Sequence, residues 1–193
     1  MDVLKVLVVL AGLAAGAASW AGEPGRLQVV ATTTMVTDLV RQIGGDRVRM
    51  EPLMGPGVDP HLYKASAGDV ARLGRAQVVF YSGLHLEGRM QEVLERLAQR
   101  GRRVVAVSSG VPPSELLRPD GFDAYPDPHF WGDPLLWKHA VEVVVRTLSE
   151  ADPGGAGEYR KRGEDYGGEL VRLRDWGRRR VQEVPESRRV LVT

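Results

Sequence analysis

Past an apolar opening segment, short valine-rich runs alternate with stretches whose apolar residues recur at every third or fourth position. Leu27–Ala31, Arg47–Leu53, Gln77–Tyr81 and Arg103–Val107 are of the first kind, bounded by glycine, proline or polar residues. Continuous apolar runs of this length predict strands buried on both faces, as in a parallel sheet. Between them, Met35–Ile43, Ala67–Leu73 and Leu86–Gln99 carry apolar residues at helical spacing and predict helices. Strand, helix and strand in repetition predict right-handed βαβ units. The fold class read from this pattern is α/β, a parallel sheet flanked by helices.

From Ser108 to Pro134 the pattern breaks: six prolines, with Gly110, Gly121 and Gly132, predict an ordered loop system over the sheet edge. Leu135–Leu148 resumes helical spacing. Asp152-Pro153-Gly154-Gly155 interrupts it, with Asp152 or a neighbour as a candidate cap for the next helix. Gly157–Val184 is polar overall, but Tyr159, Tyr166, Leu170, Leu173, Trp176 and Val181 form one apolar stripe, which predicts a single long helix. Gly163, Gly167, Gly168 and Gly177 weaken it, each by about 1 kcal/mol relative to alanine. Its arginines, Arg178–Arg180 among them, read as a solvated face. Pro185 closes the helix, and Arg189–Thr193 reads as a strand just beginning, so the chain has the look of a truncated one.

The first residues change the picture of where the protein works. Lys5 precedes the apolar Val6–Ala18, and Ser19-Trp20-Ala21 offers small residues at the −3 and −1 positions of a cleavage site. Residues 1–21 therefore read as a secretory signal peptide, and the protein as an exported, periplasmic one. The apolar stretch is shorter than the about 20 residues a membrane-spanning helix needs.

Composition narrows the chemistry. The 193 residues hold 26 basic and 25 acidic side chains, a balance that gives no electrostatic case for nucleic acid. Cysteine is absent, which excludes disulfides, thiolate metal ligands, a cysteine nucleophile and a lipid-modified cysteine anchor. Any metal site must use imidazole, carboxylate or water.

Two of the four histidines stand out by their surroundings. His61 lies in Gly55-Pro56-Gly57-Val58-Asp59-Pro60-His61-Leu62-Tyr63, directly after a predicted strand, where α/β sheets bind ligands. His129 lies in Asp127-Pro128-His129-Phe130-Trp131-Gly132-Asp133-Pro134. Both follow Asp-Pro, and the prolines stiffen the loops that would hold an imidazole in place. Imidazole suits zinc and other first-row divalent ions, and Asp59, Asp127 and Asp133 are candidates to orient a ligating ring. The two histidines are far apart in sequence, so spacing alone leaves a metal pair and two structural loop histidines both open. His85, at a strand-to-helix turn, reads as a capping or exposed residue, and His139, inside a predicted helix, as structural. Thr32-Thr33-Thr34 reads as a capping cluster in preference to an anion site. Ser108-Ser109 follows a strand without the context of a nucleophile, and no G-x-S-x-G elbow, P-loop or H-E-x-x-H is present.

Taken together, Leu53–Tyr63, Ala67–Val70, Tyr81–Glu87, Asp127–Pro134 and Pro185–Thr193 resemble the zinc/manganese solute-binding proteins of ABC transporters, the TroA-like metal-receptor family, over about Val29–Thr193. The resemblance implies an N-terminal metal-binding lobe over residues 22–152, a long linking helix over 153–185, and the start of a C-terminal lobe at 186–193. It implies that His61 and His129 are the two metal ligands of the first lobe, the remaining ligands falling beyond Thr193. The transported ligand is then Zn2+ or Mn2+, the partner is the membrane permease of an ABC importer, and the full-length receptor is a monomer. Ser82 stands where many members have asparagine. The segment Pro113–Pro126 lacks the histidines that many zinc receptors of the family carry there, which leans toward manganese or mixed specificity.

The implied function is metal capture without catalysis. Three readings stand against it: a metal-dependent hydrolase, which lacks an evident general base beside either histidine; a surface adhesin, a role attributed to some relatives; and a non-functional fragment of the receptor.

Overall fold

The computed structural model describes residues 25–119 and 125–190. The expected signal peptide lies outside them, as do the last three residues of the expected terminal strand, whose Arg189 and Val190 form no strand. Strands β1 (Leu27–Ala31), β2 (Val48–Pro52), β3 (Val78–Tyr81) and β4 (Val104–Ala106) make one wholly parallel sheet in the order β2-β1-β3-β4. Helices α1 (Thr34–Gly44), α2 (Ala67–Arg75), α3 (Gln91–Gln99), α4 (Pro134–Ala151) and α5 (Ala156–Gln182) cover it.

Side chains alternate across a strand, and each face therefore gathers its own core. Val29, Ala31, Val78 and Phe80 point toward α1, α4 and α5, where Val36, Leu39, Ile43, Val144, Leu148 and Tyr159 meet them. Val30 and Val79 point the other way, onto Leu73 of α2 and Leu94 and Leu97 of α3. Both faces are buried, which is why the strands read as unbroken apolar runs.

The first helix begins as expected: Thr33 is the N-cap, its hydroxyl accepting the Val36 N–H at 3.4 Å. Helix α2 opens with a capping box between Ser66 and Asp69. The helix expected over Leu86–Gln99 is shorter, starting at Gln91 after a single turn at Gly88–Met90. Its apolar spacing is real, but Leu84 and His85 adopt φ of 54° and 64° and Gly88 one of 47°, which no α-helix accommodates.

The long helix forms, and two features expected of it take a specific form. Its N-cap position is held by Gly155, a neighbour of Asp152, while Asp152 precedes the Pro153–Gly155 turn without a side-chain cap bond. The Asp152 carboxylate instead takes a two-pronged ion pair from Arg47 at 2.9 and 3.1 Å and the Tyr159 hydroxyl at 2.7 Å. Arg47 holds the Asp152 carboxyl below the usual range, and burial followed by Asp152 pushes the Tyr159 hydroxyl up to about 12. This clasp ties the α4–α5 turn to the start of β2. The second feature is Gly163. An added Cβ there would lie 2.4 Å from Val145 Cγ2, so this glycine lets α4 and α5 approach closely rather than simply weakening the helix. The apolar stripe is buried only in its first half: Tyr159 is 0% and Leu170 7% exposed, while Leu173 and Trp176 are each 52% and Val181 56% exposed. Among the described residues no helix is long and apolar enough to cross a membrane.

Candidate metal centre

The strand order reverses direction around β1 and β3, and the loops leaving the carboxyl ends of the strands converge there. The loop after β2 is stitched at its start, where the Leu53 and Met54 N–H groups donate to the Ala31 and Thr32 carbonyls at 2.8 and 2.9 Å. Its far end is fixed by the Tyr63 hydroxyl, which donates to the buried Asp69 carboxylate at 2.8 Å. Between these anchors the loop projects His61. The Asp59 carboxylate accepts the His61 backbone N–H at 2.9 Å, an Asx turn that sets the local bend.

The second loop arrives from β4 through a turn at Val107–Gly110 and leaves into α4. Asp127 Oδ1 accepts the His129 backbone N–H at 2.9 Å and also the ring Nδ1 at 2.6 Å. The His129 backbone and ring N–H groups, in that order of weight, hold the Asp127 carboxyl below the usual carboxylate range despite some burial. In a neutral imidazole, an Nδ1 proton donated to Asp127 leaves Nε2 as the nitrogen with the lone pair. The Trp131 ring stands edge-on at 5.2 Å between centroids.

The loops bring the two imidazoles together: His61 Nε2 and His129 Nε2 are 3.4 Å apart, although 68 residues separate them. Two nitrogens at about 2.0–2.1 Å from one ion at a tetrahedral angle would stand about 3.3 Å apart, so the pair has the bite of a first-row divalent cation. Both rings are exposed, and no group of three or more histidine, cysteine, aspartate or glutamate side chains suited to a metal occurs among the described residues. Two candidate ligands, with one carboxylate on the ring of the second, are what the described part of the chain supplies.

The other candidates lie elsewhere. Asp133 caps α4 through the Leu135 N–H at 2.7 Å and does not reach either ring as an orienting partner. His85 packs its ring on Tyr125 at 3.7 Å between centroids, and His139 faces Glu115 across 3.6 Å. Ser108 is buried and donates its backbone N–H to the Ser82 carbonyl. Arg174 and Arg178 of α5, read as part of a solvated face, line a cavity of about 490 Å3 together with Asp127 and His129.

Two residues around the centre, both inside segments that carry the family resemblance, have no individual role that the sequence alone assigns. Asp69 anchors Tyr63 and the α2 cap at once; the Ser66-x-x-Asp69 spacing was the available signal. Glu87 is 1% exposed and accepts the N–H groups of Ser82 and Gly83 and the Thr32 hydroxyl at 2.6, 3.1 and 2.8 Å. In the sequence it stands as the last residue of the Tyr81–Glu87 segment, with nothing local to mark it as buried.

Comparison with known proteins gives this geometry a context. Residues 29–193 match the family described as zinc-uptake complex component A, periplasmic. The manganese-binding lipoprotein MntA of Bacillus subtilis is 44% identical over 87% of this chain and 54% of its own length. The zinc-binding protein TroA of Treponema pallidum is 45% identical over 90% of this chain and 55% of its own length. The solved periplasmic zinc-binding protein TroA from Treponema pallidum superposes with a TM-score of 0.81 at 44% identity, covering 86% of this chain and 59% of that one. The chain thus spans about half the length of the curated relatives it matches.

Proposed function

This chain belongs to the periplasmic zinc-uptake component A family, which includes TroA-like metal receptors, and on that premise we propose that it captures a divalent transition metal outside the cytoplasm for delivery to an ABC importer. The metal is the cargo, Zn2+ or Mn2+, held in part by His61 and His129. The observation that carries this reading is the 3.4 Å approach of the two Nε2 atoms with Asp127 on the far side of one ring. Neutral imidazoles favour ions of the zinc type, and carboxylates added from elsewhere in a longer chain shift a site toward harder ions such as manganese. The curated relatives of nearly equal identity are named for manganese and for zinc, which leaves both ions as cargo.

The proposed organisation is a first lobe over residues 22–152, a linking helix over 153–185 and the beginning of a second lobe from 186. The receptor works as a monomer, reached by secretion through the segment 1–21, and hands its ion to the membrane permease of the importer. The family is one of substrate-binding receptors rather than enzymes. A hydrolase would need a general base beside the metal, and among the described residues the carboxylate on a histidine ring of the pair, Asp127, is committed to orienting it.

Calorimetric titration of the chain with Zn2+ and Mn2+, beside His61→Ala and His129→Ala, tests the reading. Binding that weakens in both variants supports one shared site. Binding indifferent to both substitutions removes the assignment.

A further inference from the structure

The turn from Ser82 to Met90, between β3 and α3, touches both histidine loops while contributing no metal ligand. Its backbone is unusual: Leu84 and His85 lie in the left-handed region at φ 54° and 64°, where side chains carry a steric cost. Such a conformation persists only when its surroundings hold it, and the Glu87 carboxylate does so. It draws in the Ser82 and Gly83 N–H groups and the Thr32 hydroxyl from inside the protein. Burial pushes this carboxyl above its usual range, opposed by those same hydrogen bonds. Thr32 is itself a junction, its N–H donating to the Phe80 carbonyl and its carbonyl accepting the Met54 N–H at the root of the His61 loop.

The turn has two arms. On one side Gly88, at φ 47°, lies against the His61 backbone, and a Cβ added there would stand 2.4 Å from the His61 carbonyl oxygen. On the other, the His85 ring packs on Tyr125, two residues before the Asp127 that orients His129. We infer that the Ser82–Met90 turn is the platform that sets the separation of His61 and His129, with Glu87, Gly88 and His85 as positioning residues for the metal. The inference rests on the proposed role of the two histidines as ligands. The turn supplies what two exposed loops lack by themselves, a common rigid reference.

The test uses the full chain and three variants: Gly88→Ala, Glu87→Gln and His85→Ala. Three readouts are taken, namely Zn2+ affinity, the visible absorption of bound Co2+, and thermal unfolding. Gly88→Ala drives a methyl group into the His61 carbonyl, and Glu87→Gln turns an amide donor toward N–H donors. Each should weaken Zn2+ binding about tenfold or more and change the Co2+ spectrum, as loss of outer supports of metal ligands does. His85→Ala, at the surface, should keep the unfolding temperature and give about a threefold loss, equivalent to one exposed aromatic contact.

A role in folding alone would lower the unfolding temperature and leave the Co2+ spectrum of the folded protein unchanged. Unaltered affinity and spectrum in folded Gly88→Ala and Glu87→Gln overturn the inference. Should both fail to fold, His85→Ala decides it, with unchanged binding and spectrum as the overturning result. Parallel titrations of His61→Ala and His129→Ala separate the two claims. If wild-type binding needs both histidines yet ignores the turn, only this inference falls. If it needs neither, the ligand assignment falls and takes the inference with it.

Discussion

In the loop after β2, Asp59 Oδ1 accepts the His61 N–H at 2.9 Å; in the loop before α4, Asp127 Oδ1 accepts the His129 N–H at the same 2.9 Å. The tripeptide Asp-Pro-His occurs in both, and the backbone turn is the same. The rings differ. His129 Nδ1 also meets Asp127 at 2.6 Å, and Trp131 stands beside it, whereas His61 Nδ1 has no hydrogen-bond partner among the described residues. His61 is placed through its backbone, between Asp59 and Gly88. One imidazole is held by its ring and the other by its chain, so the same local sequence anchors one histidine at Nδ1 and leaves the other positioned through its backbone.

The comparison can be broken outright by removing either ring. His61→Ala and His129→Ala should each cost about 100-fold or more in Zn2+ affinity, because one remaining imidazole is a poor site for the ion. Both residues are exposed loop positions, so thermal unfolding of the metal-free protein should not move. A large loss for one histidine and none for the other, measured by calorimetry, would mean that the two do not share an ion.

A sharper test separates the two aspartates. Asp127→Asn removes the charge that anchors the His129 ring at Nδ1 and should weaken Zn2+ binding about tenfold. Asp59→Asn keeps an acceptor for the Asx turn, where asparagine serves as well as aspartate, and should stay within about twofold of the parent. Equal losses in a competition titration would erase the difference between the loops.

Smaller effects are expected from the remaining differences. Trp131→Leu takes away the edge contact on His129 alone and should lower affinity about threefold, the scale of one aromatic contact. Pro60→Ala and Pro128→Ala relax both loops alike through the unfolded chain. Each should reduce stability to denaturant by about 0.5 kcal/mol with little change in affinity. A much larger affinity loss for Pro60→Ala than for Pro128→Ala would show that the His61 loop, lacking a ring anchor, depends on stiffness more than its counterpart.

Much of the framework was legible beforehand. Leu27–Ala31 forms a strand over the very residues expected, because a run buried on both faces carries no competing helical period. The α1 and α4 spacings and the Thr33 cap were likewise readable from local pattern. The start of α3 was not, since Leu86, Met90, Leu94 and Leu97 keep helical spacing through a turn that the Gly88 backbone makes non-helical. Asp152 or a neighbour looked like a cap because Pro and Gly follow; Gly155 holds that position, and the partner of Asp152, Arg47, is 105 residues away. Gly163 looked like a defect until the neighbouring helix was in place and Val145 lay where its Cβ would be.

By itself, the sequence determined what depends on near neighbours: the alternation of strands and helices, the rigid Asp-Pro-His loops, the absence of thiolate chemistry and the two histidines worth watching. Tertiary structure alone decided that those histidines face each other at 3.4 Å, that Asp127 and not Asp59 reaches a ring, and that Glu87 holds the turn between them. The reason is physical. Turns, caps and periodicity are set by dihedral preferences within a few residues, while a metal bite depends on where two loops end after strands far apart in sequence have paired. A difference of about one ångström in that separation changes the chemistry and leaves no mark on the local pattern.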